Sequence, residues 1–475
     1  MAHSISADGI SRSDRLYLVL FCVLICCLPL SYQPLIHLGE QSGANIDISL
    51  IYPVMAVLGC ISLPRLWRQR KALMRRKYNV FLLAFAGWNL LAITWSDNPL
   101  RGTLVAGLIC LATIVFLSIQ TRKTILIKYK NTLLACLTMT TVVLCLFSLW
   151  QLFGDALNVS NALTLLPSTY QYQVFGYARV TGFAAEPQFL GSFLLIPLGL
   201  FLSLATCRQK TVYFWLFAVV TITITLTVSR GALIGMFVVF LLTAVLTFKH
   251  TSLRRLATAA GVALAGMALG VALLAYASEI NRADDVSGRD AFVKTISQLS
   301  LGLIDATPMV GNTDTTAPKT PQDKAPAQPA TDEFQHAPGY VEESTDSRLS
   351  MSQEALALVG DSPARLLFGI GTGSFGATLH DKSSTHSVTS IVNNQYIEVL
   401  TELGVIGLGL FIGFFALVYR TLIIRQAWLF IPVISAPLVQ WLFFSGYPNV
   451  LHLWPLLGLA LILPVHSKGF TRPEE

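Results

Sequence analysis

The sequence predicts an all-α polytopic membrane protein with about 12 transmembrane helices and a large extracytoplasmic loop between spans 9 and 10. Three observations carry that expectation. Hydrophobic residues make up 53% of the chain and charged residues only 12%, where soluble domains carry about 25% charged. Mean hydropathy is +0.61. Apolar runs of membrane-crossing length recur, and basic residues gather in alternate connections between them.

In chain order the runs lie near 16–35, 46–64, 79–95, 101–120, 131–153, 188–206, 211–229, 231–248, 256–277, 400–419, 427–446 and 451–466. Helices are expected because lipid offers no partner to an open backbone. The polar stretch Met1 to Arg15 enters the first run without a convincing small-residue cleavage site, so a retained helix is expected and not a removed signal peptide. The eight cysteines, at 22, 26, 27, 60, 110, 136, 145 and 207, fall in apolar runs or beside a basic loop, and no disulfide framework is implied.

The net charge of +7 sits mostly in short connections, which reads as a topology signal and not as a nucleic-acid footprint. One side carries Arg65, Arg68, Arg70, Lys71, Arg75, Arg76 and Lys77, then Arg122, Lys123, Lys128 and Lys130. It continues with Arg208 and Lys210, then Lys249, Arg254 and Arg255, then Arg420 and Arg425. The opposite short loops, Ser96 to Pro99 and Tyr447 to Leu451, have no basic residue. The positive-inside rule then makes both termini cytoplasmic and the long loops, 154–187 and 278–399, extracytoplasmic. The chain divides into spans 1–9 over 1–277, the loop 278–399, and spans 10–12 with a tail over 400–475. Residues 307–345 are rich in Pro, Thr, Ala and acid and cannot bury enough apolar surface to fold alone, so disorder is expected there. Ser350 to Leu367 regains helical periodicity. No internal repeat of fixed period is visible.

Against this apolar background a few charges stand out. Arg230 falls at the outer membrane boundary, in a turn with Gly231. It reads either as a snorkelling interfacial arginine or as a fixed cation aimed at phosphate, which the guanidinium fork suits. Arg289 and Arg348 lie in the long loop, and Arg179 lies in the first long loop shortly before Glu186-Pro187. Glu186 reads equally as a helix-end residue favoured by the dipole and as a catalytic group. The run Gly369-Ile370-Gly371-Thr372-Gly373 follows no strand and precedes no Gly-Lys-Ser/Thr, so a nucleotide loop is rejected in favour of a tight turn that brings backbone close to a neighbour or ligand. Asn158-Val159-Ser160 matches a glycosylation sequon, which a three-residue pattern supports only weakly. His336, His380 and His386 lack metal-ligand spacing, so no metal or other cofactor is expected.

Taken together the motifs resemble the O-antigen ligase and O-antigen polymerase family of bacterial envelope proteins. The matching pieces are Trp95-Ser96-Asp97-Asn98-Pro99, Arg179-x-x-Gly182 with Glu186-Pro187, and Ser229-Arg230-Gly231. They continue with Ser347-Arg348, Gly369-x-Gly371-x-Gly373-Ser374-Phe375, and Asn394-x-Tyr396-x-Glu398 with Glu402-Leu403-Gly404. The resemblance implies a GT-C-like, metal-independent glycosyltransferase in the bacterial inner membrane. It implies a donor glycan on undecaprenyl diphosphate, an acceptor glycan or lipid A core, and a flippase and a chain-length regulator as partners. By motif, Arg230 and Arg348 would hold the diphosphate, helped by Arg179 or Arg289. Asn393, Asn394, Tyr396 and Glu398 would line the substrate site.

The family usually has His-Asn where this chain has Asn393-Asn394. His386 could substitute if the loop folds back. Otherwise Glu186 or Glu398 must orient or deprotonate the acceptor, or no strong base is needed. This departure and the Glu186-Pro187 form of the motif look more like exopolysaccharide polymerases, so a repeat-unit polymerase is expected. The alternative is a ligase passing polymer to lipid A core. A sugar or lipid transporter is the rival of another class, but it predicts duplicated halves or midplane charges, and neither is seen. A signalling or scaffold protein has no recognisable soluble domain to support it.

Overall fold

A computed structural model describes residues 11–30, 34–41, 44–171, 177–208, 211–248, 252–280, 340–382, 390–446 and 450–463. Five long helices come first: α1 (Arg12–Cys27), α2 (Ile51–Met74), α3 (Lys77–Ala92), α4 (Pro99–Thr121) and α5 (Lys130–Ala156). Then follow α6 (Pro187–Arg208), α7 (Thr211–Leu226), α8 (Arg230–Thr247) and α9 (Leu253–Ile280). Beyond them lie α10 (Tyr340–Gly360), α11 (Pro363–Phe368), α12 (Phe375–Lys382), α13 (Gln395–Ile424), α14 (Phe430–Gln440) and α15 (Leu453–Ile462). Among the described residues, eight helices are long and apolar enough to cross a membrane.

Each of the expected runs coincides with a helix, but several edges move. Strands β1 (Pro34–Gln41) and β2 (Ala44–Ser49) pair as an antiparallel hairpin, so the chain is not purely helical and the second run begins at Ile51. α7, α14 and α15 have only 16, 11 and 10 residues. Pro437 lies inside α14, where it removes a backbone donor. The run placed at 400–419 belongs to α13, which starts earlier because the Asn394 side chain accepts from the amides of Tyr396 and Ile397.

Two ends of the bundle can be told apart by their polar chemistry. At one, Asp14 of α1 accepts from Arg65 and Arg122, each at 2.6 Å. Arg122 is 2% exposed and lies over the Tyr17 ring. Arg76 and Asn79 both donate to Gln120 nearby. The other end carries Ser96–Asn98, the start of α6, the α7–α8 turn and the start of α13. Close helix approach positions that end: a Cβ on Gly191 of α6 would sit 2.5 Å from the Ala232 Cβ of α8. Small residues at such crossings are how helices pack tightly without a hydrophobic drive between them. α8 and α6 also pack against α14, and α13 packs against α3.

Candidate functional site

Two polar centres occupy the Ser96–Asn98 end. The first is built around the turn between α7 and α8. Arg179 donates to the carbonyls of Thr227 and Val228, both at 3.3 Å, and its guanidinium lies over Tyr170. These carbonyls close a turn in which Val228 has a φ of 49°, an uncommon conformation for a β-branched residue. Arg230 opens α8 directly after Ser229 at the N-cap. A cation in a first turn opposes the helix dipole, which favours an anion there. Arginine and free amides together suit a phosphate.

The end of α14 ties this turn to the rest of the centre. A Cβ on Gly231 would lie 3.1 Å from Gln440 and 3.3 Å from Phe443. Arg348 donates to the Phe443 carbonyl at 3.1 Å. Gln440 donates to the Gln188 carbonyl at 3.0 Å, and Gln188 in turn donates to the Glu186 carboxylate. Arg179 on the carbonyls of the α7–α8 turn, Arg348 on Phe443, and Glu186 through Gln188 and Gln440 are thus linked to the turn from which Arg230 opens α8. The Glu186 backbone carbonyl takes the amides of Phe189 and Leu190, while its half-buried side chain turns to Gln188. Burial pushes the Glu186 carboxyl above its ordinary range, against the opposing pull of Gln188, Arg348 and Arg179.

The second centre is the glycine turn and the helix it leans on. α13 kinks at Gly404, whose φ is 68°. A kink releases helical carbonyls, which must find other donors. The Thr401 and Glu402 carbonyls accept from the amides of Ile370 and Gly371 at 2.9 and 3.0 Å, and Leu403 accepts from the Trp88 indole at 2.9 Å. The Glu402 carboxylate accepts from the Gly373 and Phe375 amides at 2.8 and 3.4 Å. On the far side of the turn, Ser96 donates to the Thr372 carbonyl, and Thr378 donates to Asp97. A Cβ on Gly371 would lie 2.5 Å from Ser96 Cα, so glycine is required there. The neighbour expected for this turn is therefore protein: the Trp95–Asn98 segment on one side and α13 on the other.

Other expected site residues fall as follows. Arg348 was read as a loop residue but lies within α10, and Glu398 lies in the first turns of α13. Asn393 has a φ of 58°. Asn394 caps α13 and donates to the Leu442 carbonyl at 3.0 Å, and Tyr396 donates to the Leu438 carbonyl at 2.7 Å, so both bind α13 to the end of α14. Arg289 and His386 lie outside the described residues, as does most of 307–345; residues 340–345 are helical. Sequence reading passes over Arg101 and Ser445, and it quotes Glu402 in a motif without giving it a role. Arg101 interacts with both Glu398 and Glu402, and Ser445 lies against Glu398. The four-residue spacing of the two glutamates in an apolar helix was the available signal. Among the described residues no group of three or more His, Cys, Asp and Glu side chains could hold a metal ion.

Residues 213–412 match the family described as O-antigen ligase. Over this stretch the chain is similar to that family. The matched segment runs from α7 into α13 and includes Arg230, Arg348, the glycine turn, Glu398 and Glu402. Arg179, Glu186 and residues 440–445 lie outside it and complete both centres from flanking sequence. None of the curated proteins compared matches the chain. The resemblance drawn from the motifs and the family matched over this segment coincide, and the long apolar helices around it are those of an integral membrane protein.

Proposed function

We propose that the protein transfers a glycan from undecaprenyl diphosphate to an acceptor sugar hydroxyl at the extracytoplasmic face of the bacterial inner membrane. In this reading the chain crosses the membrane twelve times in a GT-C-like bundle with both termini cytoplasmic, α2 and the three short helices being counted with the eight long ones. The observation that carries it is that Arg179 sits on the α7–α8 turn from which Arg230 opens α8, while Arg348 sits on Phe443, which packs against Gly231, at one end of the bundle. Fixed guanidinium groups in a partly dry site neutralise a diphosphate and stabilise it as a leaving group. The acceptor oxygen attacks the anomeric carbon, and the bond from that carbon to the diphosphate oxygen breaks with its electron pair staying on phosphate. Charge neutralisation thus falls to arginine and not to a metal ion. The polyprenyl tail stays in lipid while the site aligns both sugars.

The acceptor proposed is a second lipid-linked repeat unit, which makes the enzyme a polymerase. The reading as a ligase to lipid A core is kept because the matched family is described as O-antigen ligase. A deletion strain separates the two: single repeats on the acceptor indicate a polymerase, and polymer stranded on the carrier lipid indicates a ligase. The transfer reading itself is tested by replacing Arg230 and Arg348 with Ala. Loss of one preorganised charge costs roughly 100-fold or more in turnover, so polymer should vanish and lipid-linked repeats accumulate. Normal polymer in the double variant would refute the proposal.

A further inference from the structure

The first turns of α13 carry two carboxylates on one face, Glu398 and Glu402, which are 6% and 3% exposed. Their surroundings differ. Glu402 is engaged by the amides of Gly373 and Phe375, so it holds the glycine turn in place. Glu398 Oε2 has no hydrogen-bond partner. The Ser445 hydroxyl lies against this carboxyl, and the Trp441 indole N–H and Gln440 Oε1 on the same segment have no hydrogen-bond partner. Unsatisfied buried polar atoms are rare, and several in one place point to a function that uses them.

The segment that bears these groups also forms one wall of the arginine centre. Arg348 donates to the carbonyl of Phe443, two residues before Ser445. Asn394 and the Gln395 amide hold the neighbouring carbonyls of Leu442 and Trp441. Residues 441–445 therefore carry a cation on one side and a carboxylate on the other. Where two acids share a site but differ in environment, the environment assigns their roles. Glu402 is structural, and Glu398 is available for chemistry.

We propose that Glu398, with Ser445 beside it, takes the proton of the acceptor hydroxyl, an assignment that rests on the glycan-transfer reading above. As the acceptor oxygen bonds to the anomeric carbon, its proton passes to Glu398 directly or through the Ser445 hydroxyl. The carboxylate becomes a neutral acid, and the leaving electron pair remains on the diphosphate between the arginines.

The test uses full-length protein in nanodiscs, with native lipid-linked donor for turnover and undecaprenyl diphosphate alone as the binding probe. Glu398→Gln should lower turnover roughly 100-fold, the usual contribution of a general base, with diphosphate affinity kept within about twofold. Glu398→Asp should recover part of the rate, and the acid limb of the pH–rate profile should be absent in the Gln variant. Ser445→Ala should lower turnover about tenfold, at the modest end of proton-transfer effects. Glu402→Gln is the contrast and should lower the melting temperature. Turnover of Glu398→Gln near wild type with normal diphosphate binding would overturn the assignment alone. Loss of diphosphate binding in that variant would also overturn it, by showing a structural role. Failure of the wild-type protein to bind undecaprenyl diphosphate would instead sink the donor reading, and this proposal with it.

Discussion

Glu186 is the residue at which opposing influences are most evenly set. Burial raises its carboxyl above the ordinary range, while Gln188, Arg348 and Arg179 pull it back. A diphosphate bound to those arginines would add negative charge beside it, which the protonated acid tolerates and the carboxylate does not. Proton uptake on binding requires affinity to rise as pH falls. Undecaprenyl diphosphate should therefore bind more tightly as pH drops from about 7 towards the Glu186 value, which lies above the ordinary carboxylate pKa of about 4.3. Glu186→Gln should remove that slope and bind at neutral pH as the wild type binds at lower pH. An unchanged slope in a binding titration would separate Glu186 from the donor. The stability linkage has the same sign: a raised folded pKa means the contribution is greatest below the unfolded value and is lost as pH rises through the folded one. Arg230 and Glu186 were legible in the sequence because a charge between apolar runs is conspicuous. Arg101 and Ser445 were not, since each gains its meaning only from contact with Glu398, some 300 and 50 residues away.

At the scale of elements, the glycine turn and the kink of α13 make a single device. The turn supplies amides that the broken helix needs, and the helix supplies the carboxylate that fixes the turn. A Cβ on Gly404 would lie 2.2 Å from the Leu367 carbonyl oxygen, and the left-handed backbone disfavours any other residue. Gly404→Ala should cost at least about 1–2 kcal/mol from backbone strain alone, seen as a lower melting temperature and lower yield in detergent. A variant as stable as wild type would show that the kink is not held in the folded protein. The sequence reading of Gly369 to Gly373 as a turn in close contact with a neighbour was sound as far as it went. It did not find the partner, because the apolar run from 395 to 424 is continuous and hides a break that only the carbonyl partners reveal. Arg348 was taken for a loop residue because the Pro- and Thr-rich stretch before it obscures where α10 begins.

Over the whole molecule the two ends divide the labour. One end holds the Asp14 ion pairs and the Arg76–Gln120 cluster, and exposed cations such as Arg68, Lys71 and Lys123 surround them. Among the described residues at the other end, Arg101, Arg179, Arg230 and Arg348 belong to the two polar centres, and Arg365 and Lys382 pair with Asp361. Cations committed to a site say little about orientation, so the proposed topology rests on the first end, which the positive-inside rule would put in the cytoplasm. In the proposed reaction the arginine centre would face away from ATP, where a lipid-linked donor would carry its own leaving group. Lys123 and Asn161 are exposed at opposite ends, which makes them suitable reporters. In a cysteine-free background, Asn161→Cys should react with a membrane-impermeant maleimide on intact spheroplasts, and Lys123→Cys only after permeabilisation. The reverse pattern would turn the arginines towards the cytoplasm and leave the extracytoplasmic transfer reaction without a site.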